Sequence, residues 1–114
     1  MQNDGSTVQS DQRQSKRKIL KVKAMLMMEG SASTRLARTF DVSGEGVSII
    51  VADAVPPGAH GSVRFEIFHE GKATPISARS RVQYCILSHG EYKVGLQFVN
   101  LELSAMAALS RFLQ

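Results

Sequence analysis

The stretch Ile19-Leu20-Lys21-Val22-Lys23-Ala24-Met25-Leu26-Met27-Met28 decides how the fold is read. Leu20, Val22, Ala24, Leu26 and Met28 fall on one face. Lys21 and Lys23 fall on the other, joined by Met25 and Met27. A period of two puts successive side chains on opposite sides of an extended chain, so this is a strand buried on one side and partly wet on the other.

Downstream the same logic repeats. Glu29 to Ser33 reads as a turn, and Thr34 to Phe40 as a second strand. Asp41 to Gly46, with two glycines, interrupts the pattern before Val47 to Val51 resumes it as an apolar, β-branched strand. Pro56-Pro57-Gly58 makes a loop of Ala52 to Gly61. Ser62 to Phe68 alternates again, and His69 to Lys72 is a hairpin turn. Ala73 to Ile86 is a long strand whose Pro75 marks an edge or a bulge. Leu87 to Glu91 turns, and Tyr92 to Phe98 is the last strand. Over Asn100 to Gln114 the period changes. Leu103, Met106, Ala107, Ser110 and Leu113 form one stripe, and Leu101, Ala105, Leu109 and Phe112 another. That predicts a terminal helix, capped by Ser104 or Asn100. The fold class is therefore all-β. About six short antiparallel strands form a small barrel or sandwich, followed by one C-terminal helix. Strands and helices do not alternate, which excludes a parallel nucleotide-binding sheet.

A chain of 114 residues and 12.4 kDa has room for one core. With two Tyr, five Phe and no Trp, that core must be aliphatic. Met1 to Gln12 is polar, with Val8 its single aliphatic residue after the initial Met. It is expected to be a flexible tail (1–12) ahead of a domain spanning 13–114. The net charge of +4 is unevenly spread. Arg13, Lys16, Arg17, Lys18, Lys21 and Lys23 lie together with no acid between them, whereas the rest of the chain is net negative. This points to one anion-binding patch.

Several classes fall away. No apolar run approaches the ~20 residues of a membrane span, and the N-terminus lacks the apolar segment of a secretory signal. A lone Cys85 cannot form an internal disulfide, which suggests a reducing compartment; it reads as a small buried hydrophobe. His60, His69 and His89 lack the close spacing of metal ligands. No carboxylate pair or nucleophile–base arrangement can be assembled, so the chain reads as a non-enzyme.

Two motifs remain. Arg13-Gln14-Ser15-Lys16-Arg17 sets two arginines four apart before the first strand. Asp41-Val42-Ser43-Gly44-Glu45-Gly46 is an Asp-x-Ser-x-x-Gly turn beginning 24 residues after Arg17, room for one hairpin. In this order they resemble the PilZ family, whose hallmarks are an R-x-x-x-R segment and a [D/N]-x-S-x-x-G turn. Tyr92-Lys93-Val94-Gly95-Leu96-Gln97-Phe98-Val99-Asn100-Leu101, running into a helix, looks like the family's closing strand. The resemblance covers Arg13 to Gln114.

The resemblance implies a six-stranded PilZ-type barrel that binds cyclic di-GMP, a ring of two guanosines joined by two phosphodiesters. The expected contacts are Arg13, Arg17, Asp41, Ser43 and Gly46. Lys16, Gly44, Arg81, Gln83 and Tyr84 are possible additional ones. Arginine suits the ligand because its planar fork binds phosphate or the guanine O6/N7 edge, and its plane stacks on a base. A carboxylate at Asp41 accepts from guanine N1–H and N2–H, an edge adenine does not offer. Ser43 can donate or accept locally. Gly46 is expected to serve a positive φ or a close ligand approach, a role Gly44 can share. Lys16 and Lys18 add general attraction. An extra arginine associated with a ligand dimer would stand at position 12, which is Gln12 here.

On this reading the arginine segment folds over the ligand, and the protein signals through an unidentified downstream protein in the bacterial cytoplasm. Motility, attachment and exopolysaccharide synthesis are the family's usual outputs. No cofactor, metal or membrane insertion is expected. The alternatives are a PilZ-like adaptor that binds no nucleotide, as in pilus assembly, and a small nucleic-acid-binding barrel. Sparse aromatics disfavour the latter.

Overall fold

The alternation that begins at Leu20 becomes a closed ring of hydrogen-bonded strands. The computed structural model describes residues 16–114. The expected flexible tail (1–12) and Arg13 lie outside the described residues. The strands are β1 (Arg17–Ile19), β2 (Lys23–Met28), β3 (Arg35–Ser43), β4 (Gly46–Val51), β5 (His60–His69), β6 (Lys72–Ser88) and β7 (Glu91–Asn100), followed by helix α1 (Leu103–Leu113). Each pairs antiparallel with its neighbours in the order β3-β2-β5-β6-β7-β4, and β4 pairs back onto β3. Six strands thus close the barrel. The short β1 is a seventh, laid beside β2 along the same edge of β3.

The inward set is the predicted aliphatic one. Leu20, Ala24, Leu26 and Met28 are buried, while Lys21, Lys23, Met25 and Met27 are exposed. Leu26, Ile49, Ile67, Ile76, Val42, Val47, Val63, Val82 and Val94 fill the interior. Burying each such side chain is worth ~1.5–3 kcal/mol. α1 contributes Ala105, Ala108, Leu109 and Phe112 to this core. Its other predicted stripe faces water, with Leu103 and Met106 exposed. The helix begins after Glu102, which makes no side-chain cap bond. Neither expected cap is used: Asn100 belongs to β7 and Ser104 is already inside the first turn.

Four departures from simple alternation shape the outer surface. The expected strand from Ile19 to Met28 breaks at Leu20–Val22, and Thr39 of β3 supports the break. Its Oγ1 accepts from the Val22 amide at 2.9 Å and donates to the Leu20 carbonyl. Backbone bonds from Thr39 to Val22 and from Leu20 to Phe40 complete the pairing. The other three departures are bulges, at Phe40 between Thr39 and Asp41, at Gln83 between Val82 and Tyr84, and at Val99 of β7 opposite Arg79 and Ser80. Each inserts one residue into a strand, so two consecutive side chains face outward.

The turns follow local chemistry. Glu70-Gly71 and His89-Gly90 close their hairpins with both central residues at positive φ. The expected turn over Asp41–Gly46 is shorter than the sequence suggested. Asp41, Val42 and Ser43 are the end of β3, and Gly46 starts β4, leaving Gly44-Glu45 as the connection. Pro75 sits where β6 pairs with β5 alone, because pairing to β7 starts at Arg79. That is the edge position its missing N–H requires.

Candidate functional site

Strand register assembles a site on the outer face of the barrel. Ile19, Asp41, Ser48, Gly95 and Tyr84 lie directly opposite one another across β1, β3, β4, β7 and β6. One step along, Arg17 lies opposite Ser43, Gly46 opposite Gln97, and Gln97 opposite Arg81. The middle of this face carries almost no side chain, because Gly46, Ser48 and Gly95 occupy it. Arg17 rises on one side and Tyr84 on the other. Arg17, Ser43, Glu45, Gly46, Gln83, Tyr84, Gly95, Leu96 and Gln97 line a shallow hollow of about 90 Å³. It is far too small to enclose a dinucleotide, so such a ligand would lie across it. A wider cleft of about 530 Å³ adjoins it past Gly44, Glu45 and Gln97, while clefts of about 480 Å³ beside the start of α1 and about 710 Å³ around Met25 and Leu36 gather none of these motif residues.

The bulges do the aiming. Thr39 and Asp41 would share a face in a regular strand. With Phe40 bulged, Thr39 points inward and Asp41 outward. The Gln83 bulge likewise turns both Gln83 and Tyr84 toward the hollow, while Val82 and Cys85 pack against the core.

Arg17 and Asp41 form an ion pair. Arg17 Nε and Nη2 donate to Asp41 Oδ1 at 3.1 and 2.9 Å. Arg17 Nη1 reaches Ser43 Oγ at 3.4 Å. Ser48 Oγ donates to the same Asp41 oxygen. Burial by itself raises the Asp41 carboxyl. The hydrogen bonds from Arg17 and Ser48 and the charges of Arg17 and Lys93 outweigh it, so the group is held below the usual carboxylate range. Tyr84 is pushed up, first by burial and then by the Asp41 charge. Ser43 Oγ accepts the Glu45 and Gly46 amides at 3.2 Å each, which fixes the tight connection.

The sequence-predicted residues divide accordingly. Arg17, Asp41 and Ser43 come together, and Gln83 and Tyr84 line the same hollow. Arg81 is exposed in the adjacent row, opposite Gln97. Lys16 is exposed just before β1. Gly46 is in place, but its backbone is not left-handed, so of the two reasons expected for it, a positive φ or a close ligand approach, the first does not hold. A Cβ there would come within 2.1 Å of the Leu96 carbonyl oxygen. Close approach of β7, rather than turn geometry, requires this glycine. Gly44 is exposed, has no positive φ, and a Cβ there would meet nothing within 4 Å.

Lys18 departs from its expected role of general attraction. Its Nζ donates to the Phe112 carbonyl at 3.0 Å and stands 4.4 Å from the centre of that ring, so it clamps the end of α1.

Sequence reasoning missed Ser48, Gly95, Gln97 and Lys93. Gly95 has a visible reason: the Tyr84 ring lies where its Cβ would be, 2.1 Å from Tyr84 Cε2. Lys93 stands 4.2 Å from the Phe40 ring centre, beside Asp41. A lone serine between the apolar residues of β4 was the signal for Ser48. Among the described residues, no His, Cys, Asp or Glu cluster could hold a metal, and no helix is long and apolar enough to cross a membrane.

Comparison with known proteins follows the same lines. The PilZ domain family model matches residues 11–114. No curated protein matches the sequence significantly. Among solved structures, the Bacillus subtilis inhibitor of motility, MotI/DgrA, superposes with a TM-score of 0.72 at 14% identity, covering 82% of this chain and 45% of that one. The Borreliella burgdorferi PlzA protein in complex with c-di-GMP gives 0.64 at 14% identity, covering 96% and 44%. The PilZ domain of YcgR from Escherichia coli with c-di-GMP gives 0.57 at 12% identity, covering 81% and 79%. At such identities the likeness is one of fold. The chain spans less than half the length of the first two.

Proposed function

The chain belongs to the PilZ domain family, and from that premise we propose that it is a receptor for cyclic di-GMP rather than an enzyme. The observation that carries the reading is the pairing of β1 on β3. It sets Arg17 against Asp41 and Ser43 beside a floor of Gly46, Ser48 and Gly95. The Tyr84 ring already covers Gly95, so a flat anionic ring would settle across this face between that ring and the Arg17 side chain.

In the free protein Arg17 is held by Asp41. The ligand offers it phosphate or a guanine edge, both suited to a planar fork of donors. Arg17 passes to the ligand, and Asp41 is released to accept from guanine N1–H and N2–H. Arg13, four residues earlier in the sequence, adds the second guanidinium. Neutralising the two charges lets the arginine segment close over the ligand, and the altered surface is read by a downstream protein. Control of motility, attachment or exopolysaccharide fits this role. Two of the structural relatives were solved with c-di-GMP, and a third is described as an inhibitor of motility.

Calorimetric titration of the full chain with cyclic di-GMP tests the reading. Micromolar or tighter binding is expected. Arg17→Ala should weaken it by about ten- to a hundredfold, the worth of one hydrogen bond to a charged group. Absence of binding to the wild-type chain at high micromolar ligand overturns the proposal and leaves the adaptor reading.

A further inference from the structure

Asp41 and its donors make a problem that the ligand must solve. Oδ1 takes three hydrogen bonds, from Arg17 Nε, Arg17 Nη2 and Ser48 Oγ. Among the described residues, Oδ2 takes none. Arg17 spends its Nε and Nη2 donors on that one oxygen and directs Nη1 at Ser43. It cannot keep these bonds and also present the same fork to a phosphate or a guanine. Engaging a ligand therefore strips Asp41 of two donors and its nearest cation. Its side chain is only 17% exposed, so water cannot readily replace them.

Ser48 is placed to solve this. It is 1% exposed and sits in β4 opposite Asp41 on one side and Gly95 on the other. Because β4 is paired along both edges, Ser48 cannot follow Arg17 away. We propose that Ser48 is the positioning residue that keeps the Asp41 carboxylate anchored by Oδ1, with Oδ2 turned to the ligand, after Arg17 has transferred to it. The inference rests on the nucleotide reading above and extends it to base selection. Guanine discrimination depends on an oriented carboxylate, and the orientation comes from a serine outside the Asp-x-Ser-x-x-Gly motif. The other groups facing Asp41 do not substitute for it. Lys93 of β7 contributes charge from beside the Phe40 ring, and Tyr84 of β6 is spread over Gly95.

The experiment compares wild type with Ser48→Ala, using two readouts in the full chain. The first is titration of cyclic di-GMP and, separately, cyclic di-AMP. Wild type should prefer the guanine ligand. In the variant, cyclic di-GMP affinity should fall about ten- to a hundredfold while cyclic di-AMP affinity stays put, so the ratio collapses. The second is the Asp41 carboxyl signal followed by carbon NMR against pH in the free protein. The variant should titrate at higher pH than wild type. A serine that merely fills space would move neither the base ratio nor this titration. Retained amide dispersion confirms that the variant is folded. Wild-type affinity and base ratio in the variant overturn the proposal and leave the receptor reading intact. Failure of wild type to bind either ligand overturns the receptor reading, and the role of Ser48 toward a ligand falls with it.

Discussion

Gly44 in the β3–β4 connection and Gly46 at the start of β4 should respond oppositely to the same change. A Cβ built on Gly46 lies 2.1 Å from the Leu96 oxygen, 3.2 Å from its carbonyl carbon and 3.3 Å from Gln97 Cα. All three are backbone atoms of β7, so no side chain can swing aside. Relief requires β4 and β7 to separate, against a ladder of six registered pairs from Gly46–Gln97 to Val51–Tyr92. Overpacking of this kind costs ~1–3 kcal/mol or more. The smaller unfolded-state entropy of alanine returns ~0.4–1 kcal/mol. A net loss of about 1–2 kcal/mol lowers Tm by about 4–16 °C, at about 4–8 °C per kcal/mol for a domain of this size. At Gly44 no atom lies within 4 Å of the built Cβ and φ is not positive. Gly44→Ala therefore keeps only the entropic gain, and Tm stays level or rises by a few degrees. Thermal melts and urea midpoints of both variants, without nucleotide, decide the matter. A Gly46→Ala chain melting within about 2 °C of wild type, or one more stable than Gly44→Ala, refutes the steric argument.

Three further outcomes are expected. Thr39→Val removes the acceptor for the half-buried Val22 amide and the hydroxyl that donates to the Leu20 carbonyl, so urea unfolding should show a loss of about 1–3 kcal/mol. Lys18→Met keeps the aliphatic stem but loses the bond to the Phe112 carbonyl and the cation over its ring. Melting should fall by a few degrees, reflecting about 1 kcal/mol. The Asp41 carboxyl is held low in the folded chain, so its stabilisation is complete above the unfolded value of ~3.9 and is lost as pH falls toward the folded value. Urea midpoints measured downward from neutral pH should show Asp41→Asn less stable at neutrality and flatter through the acid limb.

Much of the fold was legible because burial is periodic. Leu20, Ala24, Leu26 and Met28 go inward as their spacing requires, and the lysines between them stay in water. The motif residues were legible as types. Two arginines, a carboxylate and a small-residue turn in that order resemble the PilZ motifs, and it is that resemblance, not the residue chemistry alone, that implies a dianionic purine ring. What escaped reading depends on partners distant in the chain. A bulge at Phe40 or Gln83 adds one residue without changing composition, so the outward turn of Asp41 and Tyr84 leaves no mark in the local sequence. The break at Leu20–Val22 is supported by a threonine on another strand. Gly46 looked like a turn glycine, yet its constraint comes from the backbone of β7. Ser48 and Lys93 enter the site through register alone. Lys18 looked interchangeable with its basic neighbours until the end of α1 was found beneath it.

The position of β1 outside the closed ring has a thermodynamic consequence. The barrel is complete with six strands, so detaching Arg17–Ile19 from β3 breaks no ring contact. All three residues are exposed, so little apolar burial is lost with them. Arg17, the proposed clamp residue, thus sits on a strand whose opening gives up its pair with Asp41 and the Lys18 bond to the Phe112 carbonyl but leaves the barrel core intact, so the opening free energy lies below that of the whole domain. Amide hydrogen exchange should separate the two. β1 amides should exchange by local opening, while those of β4 and β7 should wait for global unfolding. A ligand gripping Arg17 would then slow the first class far more than the second, which makes β1 a built-in reporter of occupancy.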